Sequence, residues 1–457
     1  MPENPLDKPG SIVGRLRWTI VALLFFATSI NYIDRQVIGL LKPTLTKVFG
    51  WDNTTFGTIN GIFQFFYAFG LLAFGRIIDK VGTKIGYTIS IVIWSVFAMA
   101  HALARTTFGF TIARSGLGVG ESGNFPAAIK SVAEWFPKKE RALATGIFNS
   151  GANIGAMIAP ILVPWILGVY GWQLAFLITG ALGFIWLIFW LFIYEIPARK
   201  KGLGKAEFDY IHSDAEEGVV AAPAAGEVSA AAGNSAGGDS AAALKQVSWG
   251  KLLRVRQTWA FVFGKFLTDP IWWFFLFWLP SYFSDTFKLD LTKPGWPLVI
   301  VYSCTTVGSI GGGYLSSFLI HKGWPIYKAR KTVMLIFAFC VVPIVTAKYF
   351  GNMWIIVALI SLAAAAHQAW SANIFTTASD MFPKRAVSSI IGIGGMAGSI
   401  GGIVFQPLVG WILDHFARSG DKGLGYNLIF LICGSAYLVA WVVMHLFAPK
   451  MERVELG

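Results

Sequence analysis

Twelve apolar runs, each about the length of a membrane crossing, dominate the chain. Six fall near residues 18–41, 54–78, 84–103, 107–130, 141–168 and 173–195. After a polar break, six more fall near 256–283, 296–320, 329–347, 353–380, 387–415 and 424–446. About 20 apolar residues suffice for one crossing. The expected fold is all-α and polytopic, with twelve transmembrane helices in two six-helix bundles. The bundles cover residues 1–196 and 251–457, and a linker, 197–250, joins them. Only 13% of residues are charged, against about 25% in a soluble domain, so a soluble enzyme is excluded at the outset.

The charge is distributed by loop. Arg15 and Arg17 precede the first run, and Arg76, Lys80 and Lys84 separate the second from the third. Lys138, Lys139 and Arg141 separate the fourth from the fifth. Arg199, Lys200, Lys201 and Lys205 follow the sixth, Lys328, Arg330 and Lys331 precede the ninth, and Lys384 and Arg385 precede the eleventh. These are alternate loops on one side, so both termini and the linker are expected to be cytoplasmic. The +13 net charge is thus a topological bias, and no nucleic-acid partner is expected. Cys304, Cys340 and Cys433 show no CxxC spacing, and His101, His321, His415 and His445 are scattered, so neither a disulfide framework nor a metal site is expected. The first run lacks a small-residue cleavage site and reads as a span. The second half of the linker, Gly218 to Ala243, is dominated by Ala, Gly, Ser and Val and is expected to be flexible. Asn53-Thr54-Thr55 is a weak glycosylation sequon on the opposite side.

The two halves repeat. Phe136-Pro137-Lys138 and Phe382-Pro383-Lys384 lie 246 residues apart. The same offset pairs Gly146 with Gly392, Gly155 with Gly401, and Trp165-Ile166 with Trp411-Ile412. Parallel six-span repeats resemble the major facilitator layout, with a site near mid-membrane between the halves. The loop Gly75-Arg-Ile-Ile-Asp79-Lys80-Val-Gly82-Thr83-Lys84 is similar to the signature that major facilitators carry after span two. Its counterpart after span eight is degraded.

Charges inside the spans point to function. Asn31-Tyr32-Ile33-Asp34-Arg35 sets an acid beside a base within the first run. Arg114 and Glu121, seven residues apart in span four, share a helix face about 10 Å apart along the axis. Intramembrane charges are costly and mark pathways. A guanidinium offers a planar fork to a carboxylate, and a buried carboxylate beside it can switch its protonation as its partner moves. Two acids and two bases in one bundle therefore suggest a proton relay with an anion clamp.

These residues resemble the anion:cation symporter branch of the major facilitators. The marks are Tyr32-x-Asp34-Arg35, and Arg114 with Glu121 followed by Asn124-Phe125-Pro126. The resemblance implies that Arg35 grips a substrate carboxylate, that Asp34 and Glu121 take up protons, and that Arg114 exchanges salt bridges with them. Protons would be the coupling ion, with no cofactor, in a bacterial inner membrane. The second half resembles hexuronate transporters, through Phe266-Leu267-Thr268-Asp269-Pro270-Ile271-Trp272-Trp273, through His367-Gln368-Ala369-Trp370-Ser371-Ala372-Asn373-Ile374-Phe375-Thr376-Thr377 and through Met396-Ala397-Gly398. Span eleven departs from the branch: the amide expected near Gly395 is carried instead by Asn149 of span five.

Read from the residues alone, a hydroxylated ring acid needs donors, acceptors and aromatic faces. Lys265, Thr268 and Trp272 share a face, as do His367, Gln368, Ser371 and Asn373, and Tyr32 and Tyr67 add phenols. Tryptophans anchor at interfaces and polar side chains glue helices, so these residues serve either role. Gly118-Val119-Gly120-Glu121-Ser122-Gly123 matches GxGxxG inside a span, where no nucleotide site is expected. Small-xxx-small glycines, Gly116/Gly120, Gly151/Gly155 and Gly394/Gly398/Gly402, are expected to let helices approach and slide. The leading expectation is a monomeric proton-coupled hexuronate symporter. The alternatives are transport of another anion, such as an aldonate, an aromatic acid or phosphate, or a receptor without flux. No nucleophile–base pair supports an enzyme.

Overall fold

The computed structural model describes residues 14–213 and 248–455; the Gly218–Ala243 stretch expected to be flexible lies outside them. The first half contains α1 (Leu16–Phe49), α2 (Asn53–Val81), α3 (Thr83–Ala100), α4 (Thr107–Glu121), α5 (Asn124–Trp135), α6 (Lys138–Tyr170) and α7 (Trp172–Ile193). Two short helices follow, α8 (Lys205–Ile211) and α9 (Trp249–Leu253). The second half contains α10 (Arg256–Phe277), α11 (Leu279–Phe287), α12 (Trp296–His321), α13 (Ile326–Val341), α14 (Met353–Met381), α15 (Lys384–Arg418) and α16 (Lys422–Phe447).

Among the described residues, 11 helices are long and apolar enough to cross a membrane. The expected fourth span differs: it is broken into α4 and α5 at Ser122-Gly123. Pro126 has no N–H to donate to Ser122, four residues back, and is tolerated in the first turn of α5. Neither piece alone has spanning length. The expected seventh run likewise divides at Trp278 into α10 and α11.

The repeat survives in three dimensions. α6 and α15 both start one residue after an extended proline, Pro137 and Pro383. A methyl group on Gly155 would come within 2.3 Å of the Ser29 carbonyl oxygen, and one on Gly401 within 2.4 Å of the Phe266 carbonyl oxygen. Each glycine therefore lets its helix lie against the first long helix of its own half. Gly116 and Gly120 pack on Phe97 and the Trp94 backbone of α3 in the same way. Most of the small-residue pairs thus lock helices within a bundle rather than let halves slide. Gly118, in the GxGxxG match, abuts the Phe63 carbonyl and so serves helix packing.

Between the halves, α2 lies along α15 and α6 along α12. Gly57 faces the Gln406 carbonyl, Gly410 faces that of Asn53, and the Gly295 N–H donates to the Pro160 carbonyl at 2.8 Å. These contacts lie at the end away from the basic loops. They reach inward as far as Tyr67 against Trp273, whose ring centres are 6.4 Å apart. Nearer the basic end, Gly75, Gly146, Gly392 and Gly395 have open space where a side chain would project. The halves are closed at one end and parted at the other.

The closed end carries a clasp. The Asp414 carboxylate of α15 accepts from the Asn53 N–H (3.0 Å) and Nδ2 (2.7 Å), and from the Thr54 N–H and hydroxyl (both 2.6 Å). It caps the α2 N-terminus of the other half, where an anion is favoured. The bonded Asn53 amide is not free to accept a glycan in this arrangement. Asp414→Ala removes bonds to a charged acceptor, each worth about 1.5–3 kcal/mol. Backbone amide exchange at Asn53 and Thr54 is expected to quicken at least tenfold, measured by hydrogen–deuterium exchange, while that of α16 stays unchanged.

At the basic end, α8 docks on the start of α1. Glu207 accepts from the Arg17 N–H (3.1 Å) and its Nη1 (3.3 Å), and Arg17 also pairs with Glu140 at 3.0 Å. In the loop signature, Gly82 adopts φ +84, a left-handed value that suits glycine, and turns α2 into α3. Lys84 pairs with Glu195 at 3.0 Å. Burial opposes the charge on Glu195, but Lys84 and the Ile196 N–H hold its carboxyl below the usual carboxylate range. Lys80 is exposed, and the Asp79 side chain lies outside the described residues.

Candidate functional site

α1 runs unbroken through the middle of the first half, so Asn31 and Arg35 share a face and Asp34 points roughly 100° away. Arg35 is 2% exposed. Its Nη2 and Nε lie 2.7 and 2.8 Å from Glu121 Oε2, and Nη2 also donates to Asn31 Oδ1 at 3.2 Å. The guanidinium is boxed by Tyr32, Phe63 and Tyr67 of the first half and by Trp273 of the second, at 4.8 to 5.6 Å from the ring centres. Glu121 is the last residue of α4.

The other intramembrane charges of the first half, Asp34, Arg114 and Glu121, are also buried. Arg114 Nη2 donates to the Arg35 carbonyl and to Asn60 Oδ1, both at 3.3 Å. Its cation lies 4.4 Å from the Phe63 ring centre. Among the described residues, Arg114 Nε and Nη1, both oxygens of Asp34 and Oε1 of Glu121 have no hydrogen-bond partner. Asp34 sits instead among Trp94, Thr179 and Arg114. The shared face of Arg114 and Glu121 is as expected, but both residues turn to Arg35, one to its side chain and one to its backbone. Adjacent in sequence, Asp34 and Arg35 are not paired with each other.

In the second half, Trp272 stacks on His367 at 5.3 Å and 2°. His367 Nδ1 lies 2.6 Å from the Tyr437 hydroxyl, and Trp272 abuts Tyr32 across the halves. Lys265 pairs with Asp269 at 2.8 Å. Gln368 and Ser371 are half-buried on α14, and Asn149 is exposed on α6, one turn from Gly146 at the edge of the gap. Two expected binding residues also bond within the second half, with Asn373 Oδ1 left without a hydrogen-bond partner among the described residues. Asn373 is fully buried and donates to the Gly312 carbonyl (3.0 Å) and the Ala369 carbonyl (2.9 Å), which ties α14 to α12. Thr268 donates its hydroxyl to the Gly264 carbonyl of its own helix at 2.7 Å.

Sequence reasoning passed over Phe63, Asn60, Trp273 and Asp269 as members of the site. Asp269 lies four residues after Lys265, the spacing of a helical ion pair, and that signal was readable.

The arrangement is two bundles around buried charges, with α1, α2 and α6 of the first half meeting α10, α11, α12 and α15 of the second. The profile of the Major Facilitator Superfamily matches residues 24–406. The chain belongs to that superfamily. The hexuronate transporter of Escherichia coli (strain K12) is 33% identical over 430 residues, 94% of each chain. The galacturonate transporter of Dickeya chrysanthemi is 33% identical over 300 residues, 66% of this chain and 81% of that one. A bacterial homologue of the human lysosomal transporter Spinster, solved inward-facing and unoccupied, superimposes with TM-score 0.75 at 16% identity, covering 98% of this chain and all of that one. This major facilitator is a transporter and not an enzyme, and its relatives carry sugar acids.

Proposed function

We propose that this major facilitator is a proton-coupled symporter that imports hexuronates, glucuronate and galacturonate, by alternating access. The observation that carries the reading is Arg35: a buried guanidinium whose only anionic partner among the described residues is the Glu121 carboxylate, set beside aromatic rings from both halves. A sugar acid brings a carboxylate for the fork and C–H faces for the rings. Arg35 and Glu121 each have one strong partner, so substrate and Glu121 compete for it. A proton on Glu121 releases Arg35; a substrate carboxylate replaces the lost anion. Asp34, without a bonded partner, is the second carboxyl able to carry a proton, and Arg114 lies between it and the Arg35 backbone.

The basic loops put the parted end in the cytoplasm, so the described arrangement faces inward and Asp414 closes the outer gate. The reading takes the protein as a monomer in a bacterial inner membrane. The test is uptake of labelled galacturonate and glucuronate into proteoliposomes, with and without an inward proton gradient. Accumulation that needs the gradient, and that unlabelled hexuronates block better than aldonates, aromatic acids or phosphate, supports the proposal. Gradient-independent flux, or none, overturns it.

A further inference from the structure

A cavity of about 290 Å³ opens at the basic end of the second half, between the start of α13 and the end of α16. Both helices pack against their own half, away from the buried charges between the bundles. Lys328 and Lys331 of α13 line the cavity, with His445 of α16 and the rings of Trp324, Tyr327 and Trp441.

Its wall holds a cation without a counter-ion. Lys331 is 7% exposed. Its Nζ donates to the Ala448 and Pro449 carbonyls, both at 2.6 Å, and lies 3.2 Å from His445 Nδ1. An ammonium has no lone pair, so Nδ1 accepts and the ring proton sits on Nε2. The carbonyls belong to the end of α16, whose dipole offsets only about half a charge. Arg330, the preceding residue, is treated differently: it pairs with Asp380 at 3.2 Å. Among the described residues, Lys328 and Lys331 form no ion pair. A buried charge is ordinarily paired, and here the pairing anion is left to come from outside the chain.

The surroundings describe that anion. Trp324, Tyr327 and Trp441 are amphipathic rings of the kind that sit at headgroup depth. Trp441 stacks on His445 at 5.2 Å and 13° and donates its Nε1 to the Lys331 carbonyl at 2.9 Å, which fixes the wall. Lys328, Lys331, Leu335 and Phe339 share one face of α13. Leu335 continues the cavity and Phe339 lies exposed beyond it. From Lys328 to Phe339 is roughly 16 Å of rise, about the depth of one leaflet of hydrocarbon. A charged mouth thus opens onto an apolar track.

We propose that the cleft between α13 and α16 binds an anionic phospholipid of the cytoplasmic leaflet. Its phosphodiester bonds to Lys328 and to the His445 Nε2–H at the rim. Lys331 attracts it by charge, its own donors being spent on the protein. One acyl chain lies along Leu335 and Phe339. A headgroup that carries its own ammonium brings a third cation to two lysines, so phosphatidylglycerol is preferred to phosphatidylethanolamine. The leaflet follows from the orientation given by the basic loops, and the site does not depend on which solute is carried.

The experiment titrates the purified full chain in detergent with phosphatidylglycerol or with phosphatidylethanolamine of the same acyl chains, and reads bound lipid by native mass spectrometry. Phosphatidylglycerol is expected to bind about tenfold more tightly. Lys328→Ala should cut that preference about fivefold, the effect of one lysine near anionic lipid, and Lys328→Glu should abolish it. Lys331→Gln should abolish it as well, and Lys331→Arg should keep it. Lys328 is exposed, so its variants decide the matter even where a change at Lys331 loosens the end of α16. Lys205→Ala, at the basic end but outside the cleft, is expected to change nothing. Equal affinity for the two lipids, a preference that survives Lys328→Glu, or an equal loss in Lys205→Ala overturns the proposal. So does full displacement of phosphatidylglycerol by inorganic phosphate where chloride of equal ionic strength displaces none, which assigns the cleft to a free anion.

Discussion

Arg35→Ala is expected to weaken hexuronate binding by a hundredfold or more and to abolish uptake. A fork that makes two bonds to a carboxylate contributes about 1.5–3 kcal/mol for each, and every 1.4 kcal/mol is about tenfold in affinity. Arg35 is 2% exposed, so little water reaches the guanidinium to make up the loss. Arg35→Lys keeps the charge but offers a point donor instead of a planar fork, and an intermediate affinity is expected. Removal of Arg35 also leaves Glu121 buried without its cation, which destabilises by itself. Arg35→Ala/Glu121→Gln corrects that imbalance. Titration of galacturonate into the three purified variants checks the prediction; wild-type affinity in the double variant makes Arg35 a helix staple and nothing more.

Hydropathy and loop charge were enough to expect two six-helix bundles, because bilayer thickness imposes run length directly. They could not show the break at Ser122-Gly123. Two small residues inside an apolar run leave the mean hydropathy unchanged, and only Pro126 hints at the missing bond. The break falls directly after Glu121, the residue that pairs with Arg35. Seven-residue spacing predicted the common face of Arg114 and Glu121, since that is a property of one helix. Which residue each would meet depended on how α1 and α2 pack against α4, and spacing holds no record of that.

The second half shows the same limit. Trp272, His367, Thr268 and Asn373 all sit at helical spacing on plausible faces. A stripe on a helix inside a bundle meets either a cavity or a neighbouring helix, and the period is identical for both. Asn373 met the Gly312 backbone, because glycines 308 and 312 let α14 lie against α12. Trp272 met the other half, and so belongs to the midline. Asp414 caps a helix 360 residues away in sequence, a pairing that no local pattern records.

Glu121→Gln should separate binding from coupling. Glutamine copies the shape of the protonated acid and cannot release a proton, so the variant is held in the state that leaves Arg35 free. With its anionic competitor gone, Arg35 is expected to bind galacturonate at least as tightly as in the wild type. Exchange of labelled for unlabelled substrate across the membrane requires only that the loaded halves rock, and it should persist. Accumulation driven by an inward proton gradient requires Glu121 to load outside and discharge inside, and it should fall to background. Asp34→Asn offers the comparison, since Asp34 has no bond to Arg35: its loss should reduce gradient-driven uptake without tightening substrate binding. The two assays, counterflow and gradient-driven uptake in the same proteoliposomes, decide the matter. Full gradient-driven accumulation by Glu121→Gln would leave that residue as a counter-ion for Arg35, and the coupling proton would then have to travel on Asp34 alone.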